Sequence, residues 1–103
     1  MRLLPEEFLA YHARGARLQG PVSSIRLGWF QLWPLSDICA LNDAYKVPEY
    51  APELLGFGSD GGGEMLAFDA KYQIVQVPFI GMDTRHAQLI APSWRAFETI
   101  LFA

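Results

Sequence analysis

The sequence predicts an α+β domain: a mostly antiparallel sheet, arranged as a meander, flanked by N- and C-terminal helices. Three observations predict it. Amphipathic stretches with helix-start signals lie near both ends, over residues 5–14 and 94–101. Between them are short apolar runs of strand length, separated by Gly- and Asp-rich turn clusters. The 103 residues are 51% hydrophobic and 14% aromatic, which is enough for one core and leaves little room for a second domain.

The elements follow in order. Pro5 suits the first turn of a helix, and Glu6 and Glu7 favour its positive end; Leu4, Phe8 and Tyr11 recur at helical spacing up to Arg14 and Gly15. Gly20-Pro21 marks a turn. Ile25, Leu27 and Trp29 then alternate, with Phe30 and Leu32 on the other parity, so a strand is expected over residues 23–33, bulged near Gly28 and stopped by Pro34. Trp29 and Trp33 share the parity of Ile25 and Leu27 and are assigned to the core. Ser36 or Asp37 caps a short second helix carrying Ile38, Leu41 and Tyr45 on one face. Residues 46–53 contain Pro48 and Pro52 and no clear period, and read as a loop. Strands are expected over 54–58, 64–69 and 72–79, the first two joined by the turn Ser59-Asp60-Gly61-Gly62-Gly63. Residues 81–91 read as loops. Ser93 caps the last helix, on which Trp94, Phe97, Ile100 and Leu101 form one stripe.

Charge excludes some functions. Eleven acids against eight bases give a net charge of −3, and no basic stripe is present to neutralise phosphates, so no direct contact with nucleic acid is expected. No stretch is long and apolar enough to span a membrane, and the first residues lack the pattern of a signal peptide. The single cysteine, Cys39, allows neither an intramolecular disulfide nor a cysteine-based zinc site, and a reducing cytoplasm is the expected compartment.

No catalytic constellation emerges, and no cofactor is expected. The glycine cluster is not a Walker loop, because Glu64 stands where Lys-Ser/Thr would be and a strand follows instead of a helix. Its glycines are expected to allow positive φ in a tight hairpin. Asp60, Glu64 and Asp69 could offer hard oxygen ligands to a cation, but Asp60 and Asp69 more simply start turns. A surface acidic patch for a partner is the preferred reading over metal. His12 and His86 have no metal-binding spacing. Cys39, between Ile38 and Ala40, is expected to be a buried, inert thiol. Glu6 and Glu7, adjacent on a helix, diverge and do not form a catalytic pair. Tyr45, Tyr50 and Phe57, beside the proline-containing loop, are candidates for exposed aromatic contacts.

Three motifs, taken together, resemble a known family. Leu4-Pro5-Glu6-Glu7-Phe8 resembles the helix start of the SUKH superfamily, which groups bacterial polymorphic-toxin immunity proteins with a fungal cell-wall-synthesis regulator. Phe57-Gly58-Ser59-Asp60-Gly61-Gly62-Gly63-Glu64, followed by Leu66-Ala67-Phe68-Asp69, is similar to its central glycine hairpin and the strand after it. The segment Ser93 to Leu101 is similar to its closing helix. The motifs occur in the family's order and span nearly the whole chain. The resemblance implies a non-enzymatic bacterial immunity protein that neutralises a cognate toxin, such as a basic nuclease, by direct binding. Two alternatives stand beside it: a scaffold domain with a housekeeping partner, and an enzyme with an acidic metal site. For partner binding, residue type and loop position select Asp60, Glu64 and Asp69 first, and Glu49, Tyr50 and Glu53 as a second region.

Overall fold

In a computed structural model, which describes residues 2–24 and 26–102, the chain forms α1 (Glu6–Ala13), β1 (Gln19–Pro21) and β2 (Trp29–Leu32). A 3-10 turn (Leu35–Asp37), α2 (Ile38–Ala44) and α3 (Val47–Tyr50) follow. Then come β3 (Leu55–Ser59), β4 (Glu64–Phe68), β5 (Ile74–Pro78), a 3-10 turn (Thr84–His86), β6 (Gln88–Ala91) and α4 (Trp94–Leu101). The six strands make one sheet in the order β1-β2-β3-β4-β5-β6, every neighbouring pair antiparallel. The predicted α+β meander with terminal helices is therefore the observed fold. No helix among the described residues is long and apolar enough to cross a membrane.

Both faces of the sheet are covered, which explains why β3, β4 and β5 are buried in continuous runs rather than at alternate positions. On one face α1 and α4 bring Phe8, Trp94 and Phe97 onto Phe57 and Phe68, with ring centroids 5.3–6.3 Å apart. Ser93 caps α4 as predicted, its Oγ accepting the Ala96 N–H at 3.1 Å. Beyond the end of β2, α2 packs against β3. Asn42, buried, holds this layer: its Nδ2 donates to the Gly56 and Ile38 carbonyls, and its Oδ1 accepts the Gly56 N–H. Leu32 is the last residue of β2 paired with β3, opposite Gly58, so the Asn42 amide serves Gly56 where the neighbouring strand has already ended. A Cβ on Gly56 would lie 2.6 Å from the Met65 sulfur and 3.1 Å from the Trp33 ring, so its bare Cα lets the indole lie close against the strand.

Several expectations are corrected. Gly20-Pro21 is not a turn but part of edge strand β1, where a proline without N–H is tolerated. The expected strand over 23–33 is confined to 29–32, and the expected contribution of Ile25 lies outside the described residues. Leu27 belongs to the connection between β1 and β2, so its parity does not carry into the strand; Phe30 and Leu32 point inward, while Trp29 is 40% exposed. Trp33 is buried as expected. Residues 46–53 are not all loop. Lys46 adopts a left-handed conformation (φ 59°), and its carbonyl accepts the Glu49 and Tyr50 N–H groups, starting α3. Pro48 sits in that helix's first turn, where it is no breaker. Residues 81–91 contain β6, a bulged strand too short and too exposed to show alternation. The second helix buries Ile38 and Asn42 and leaves Tyr45 exposed.

His12 has a consequence for stability. Its ring packs edge-on to Phe8 at 4.7 Å, its Nε2 is buried without a hydrogen-bond partner among the described residues, and burial lowers its pKa. The folded state therefore binds this proton less readily than the unfolded chain, and stability falls as pH drops below about 6.5. The urea midpoint should fall between about pH 7.5 and about 5.5, and by less in His12→Phe. Equal falls in both proteins would refute the role of His12.

Candidate binding site

The β3–β4 hairpin folds around one carboxylate. Asp60 Oδ1 accepts the N–H groups of Gly62 (2.8 Å) and Glu64 (3.2 Å), and Oδ2 accepts Gln76 Nε2 (3.3 Å). Gly61 N–H goes to Ser59 Oγ. These donors are turned onto the chain's own side chains, so the loop does not present them to an anion. Of the three glycines only Gly61 has positive φ (81°), which corrects the expectation for Gly62 and Gly63. A Cβ there would also lie 2.6 Å from Trp29 Cδ1, so the exposed indole rests against the bare turn.

Glu64 differs from Asp60. It is half-buried, and its carboxylate has no hydrogen-bond partner among the described residues; burial first, and the neighbouring Asp60 charge second, raise its pKa. It opens β4 on the sheet face that carries Leu66, Gln76 and Gln88. The Arg26 guanidinium on that face is held by Gln88 Oε1 at 2.6 Å.

Asp69 does not join this pair. It lies past the other end of β4, whose five residues span about 17 Å. There its Oδ1 accepts Lys71 and Gln73 N–H groups, and its Oδ2 accepts Gln73 Nε2. Arg2 ties it to the second predicted region, donating to the Asp69 carbonyl (2.6 Å) and the Glu53 carbonyl (2.8 Å). Arg2 also lies 4.5 Å over the Tyr72 ring, and the Tyr72 hydroxyl donates to the Leu3 carbonyl. The Glu53 carboxylate accepts the Thr84 hydroxyl, which lowers its pKa. Glu49 and Tyr50 precede it, exposed, on α3. The six residues thus divide into Asp60 with Glu64, and Asp69 grouped with Glu53 beyond the far end of β4.

Two concavities lie beside these regions. One, of about 420 Å³, is lined by Arg2, Cys39, Asn42 and Pro52 among others. Cys39 is exposed, not buried, because the inward positions of α2 are Ile38 and Asn42. No histidine lines this cavity to activate the thiol. The other, of about 490 Å³, has Trp33, Tyr45 and Phe79 as an aromatic wall, with Gly61 to Gly63 and Ile80 around it. Tyr45 stacks on Trp33 at 5.8 Å and meets Phe79 at 4.5 Å. Of the aromatics expected to be exposed, Tyr45 and Tyr50 are, whereas Phe57 is fully buried. Among the described residues no group of three His, Cys, Asp or Glu side chains could hold a metal ion. No protein-family model matches the chain, and no curated protein matches it significantly.

The groove residues Phe79 and Ile80 were not singled out from sequence. The available signal was Gly81, whose left-handed conformation (φ 75°) follows an isoleucine that is 93% exposed.

Proposed function

We propose that this chain is a non-enzymatic, protein-binding domain of the immunity type, and that Glu64, beside Asp60, receives a cationic group of its partner. The observation that supports this most is the Glu64 carboxylate: partly desolvated, beside a like charge and without a hydrogen-bond partner among the described residues. An incoming Lys or Arg would relieve both penalties. The motifs that resemble the SUKH superfamily supply the biological setting: a bacterial cytoplasmic protein neutralising a toxin domain, such as a basic nuclease. An exposed lone thiol at Cys39 suits a reducing compartment.

Asp60 supports the hairpin rather than the partner. Its carboxylate is already occupied, so neutralising it would disturb the turn as well as any interface. Glu64→Gln is the sharper variant, because it removes charge without removing a hydrogen bond inside the fold. Burial and Asp60 raise the Glu64 pKa, so proton uptake should weaken partner binding at a higher pH than for an ordinary carboxylate. The first experiment is affinity capture with the tagged chain at low and high salt. A stoichiometric protein partner with a basic surface, released by salt and poorly retained by Glu64→Gln, supports the reading. A housekeeping complex retained equally by both proteins would favour the scaffold function instead.

A further inference from the structure

We propose that Arg2 and Leu3 form a latch that opens and closes independently of the core, and that Tyr72 holds a left-handed backbone in order to clasp it. Tyr72 has φ 58° and stands in the β4–β5 turn, which its N–H closes by donating to the Asp69 carbonyl at 3.0 Å. Glycine fills a left-handed position at the end of such a turn most readily. A bulky tyrosine there carries backbone strain, which persists only where the surrounding contacts outweigh it.

The contacts that outweigh it run to the segment before α1. The Tyr72 hydroxyl donates to the Leu3 carbonyl at 2.6 Å, and the ring lies 4.5 Å from the Arg2 guanidinium and 5.9 Å from Phe68. Arg2 in turn donates to the Asp69 carbonyl at 2.6 Å and to the Glu53 carbonyl at 2.8 Å, charge-assisted bonds on either side of the β3–β4 hairpin. Little else holds the segment. Among the described residues, Arg2 and Leu3 make no backbone–backbone hydrogen bond, and Leu3 is 86% exposed. The bonds from Arg2 to Glu53 and from Tyr72 to Leu3 are open to solvent. Leu4, the next residue, packs against the core and serves as the pivot. A segment with few buried contacts and solvent-exposed hydrogen bonds opens locally at far lower cost than the core. Opening withdraws Arg2 from the wall of the cavity of about 420 Å³. It also releases the Glu53 and Asp69 carbonyls and the Tyr72 ring face, which alters the second candidate contact region. The latch does not rest on the reading of Glu64.

Nitrogen-15 relaxation on the full chain tests it, with the order parameter of the Leu3 amide as the readout. The wild type should give about 0.85 at Leu3, the value of ordered backbone. Arg2→Ala and Tyr72→Gly should each bring Leu3 below about 0.6 and leave Phe8 and β4 unchanged. Tyr50→Ala, which removes an exposed aromatic outside the latch, should leave Leu3 ordered. The urea midpoint of Tyr72→Gly should lie above that of Tyr72→Ala, because both lose the clasp and only glycine relieves the strain. A Leu3 amide already mobile in the wild type, or still ordered in Arg2→Ala or Tyr72→Gly, would overturn the latch. So would order lost along β4 in those variants, or at Leu3 in Tyr50→Ala. A midpoint for Tyr72→Ala equal to or above that of Tyr72→Gly would overturn the strain at Tyr72.

Discussion

Replacing Trp94 with alanine should destabilise the protein by about 3–5 kcal/mol, measured by chemical denaturation. The indole is 2% exposed and lies against Phe8, Tyr11, Phe57, Phe68 and Phe97, so it touches α1, α4 and two strands at once. Its loss opens a cavity that rigid aromatic neighbours cannot readily fill. It also removes the donor from Trp94 Nε1 to Glu98 Oε1 (2.8 Å), while Glu98 keeps its contact with Arg14 across the α1–α4 pair. Domains of this size have a total stability of about 5–15 kcal/mol, so the variant should stand near the edge of folding. A loss below about 1 kcal/mol would mean that the two terminal helices are not joined through this side chain.

Asn42→Leu should be nearly as severe although it keeps the γ-branched shape of the side chain. The asparagine supplies both hydrogen bonds to the Gly56 peptide groups and a third to Ile38. Leucine would leave a buried N–H and carbonyl without partners, each costing about 1–3 kcal/mol. The expected loss is about 3 kcal/mol, with the largest gain in amide exchange at Gly56 and along α2. If exchange rose equally everywhere and stability barely changed, the amide would not be the clamp between α2 and β3.

These two residues show what the sequence makes legible. Trp94 stands on a helix whose cap, stripe and end are all local signals, so Trp94–Leu101 was read to the residue. For α1 and for strands β3, β4 and β5, whose apolar runs are bounded by Gly and Asp turns, the local signals give the element and place its ends within two residues. Asn42 was invisible as a clamp because its partners are backbone atoms of Gly56, fourteen residues away. Its only local trace is a polar, weak helix former directly after Ile38-Cys39-Ala40-Leu41. The same limit hid β6 and misplaced Trp29. The pairing of β6 with β5 is tertiary, and the inward parity of β2 is set by Phe30 and Leu32 rather than by the preceding connection.

The candidate site was legible by residue type and not by grouping. Asp60 and Asp69 were recognisable as turn residues, and both bond their own turns. Their separation by the length of β4 follows from the strand between them, whereas the approach of Asp69 to Glu53 depends on Arg2, a contact between residues 67 apart in sequence. The groove is assembled from the ends of β2, α2 and β5 and the β3–β4 turn, so no single segment announces it.

The central claim is that Glu64 receives a partner's cation. The most direct measurement is a calorimetric titration of the captured partner into wild type and Glu64→Gln at two salt concentrations. The account predicts about a ten-fold weaker Kd for Glu64→Gln and a shallower dependence on salt, with both proteins equally folded. Equal affinities with equal salt dependence would contradict it and move the partner's contact away from the hairpin.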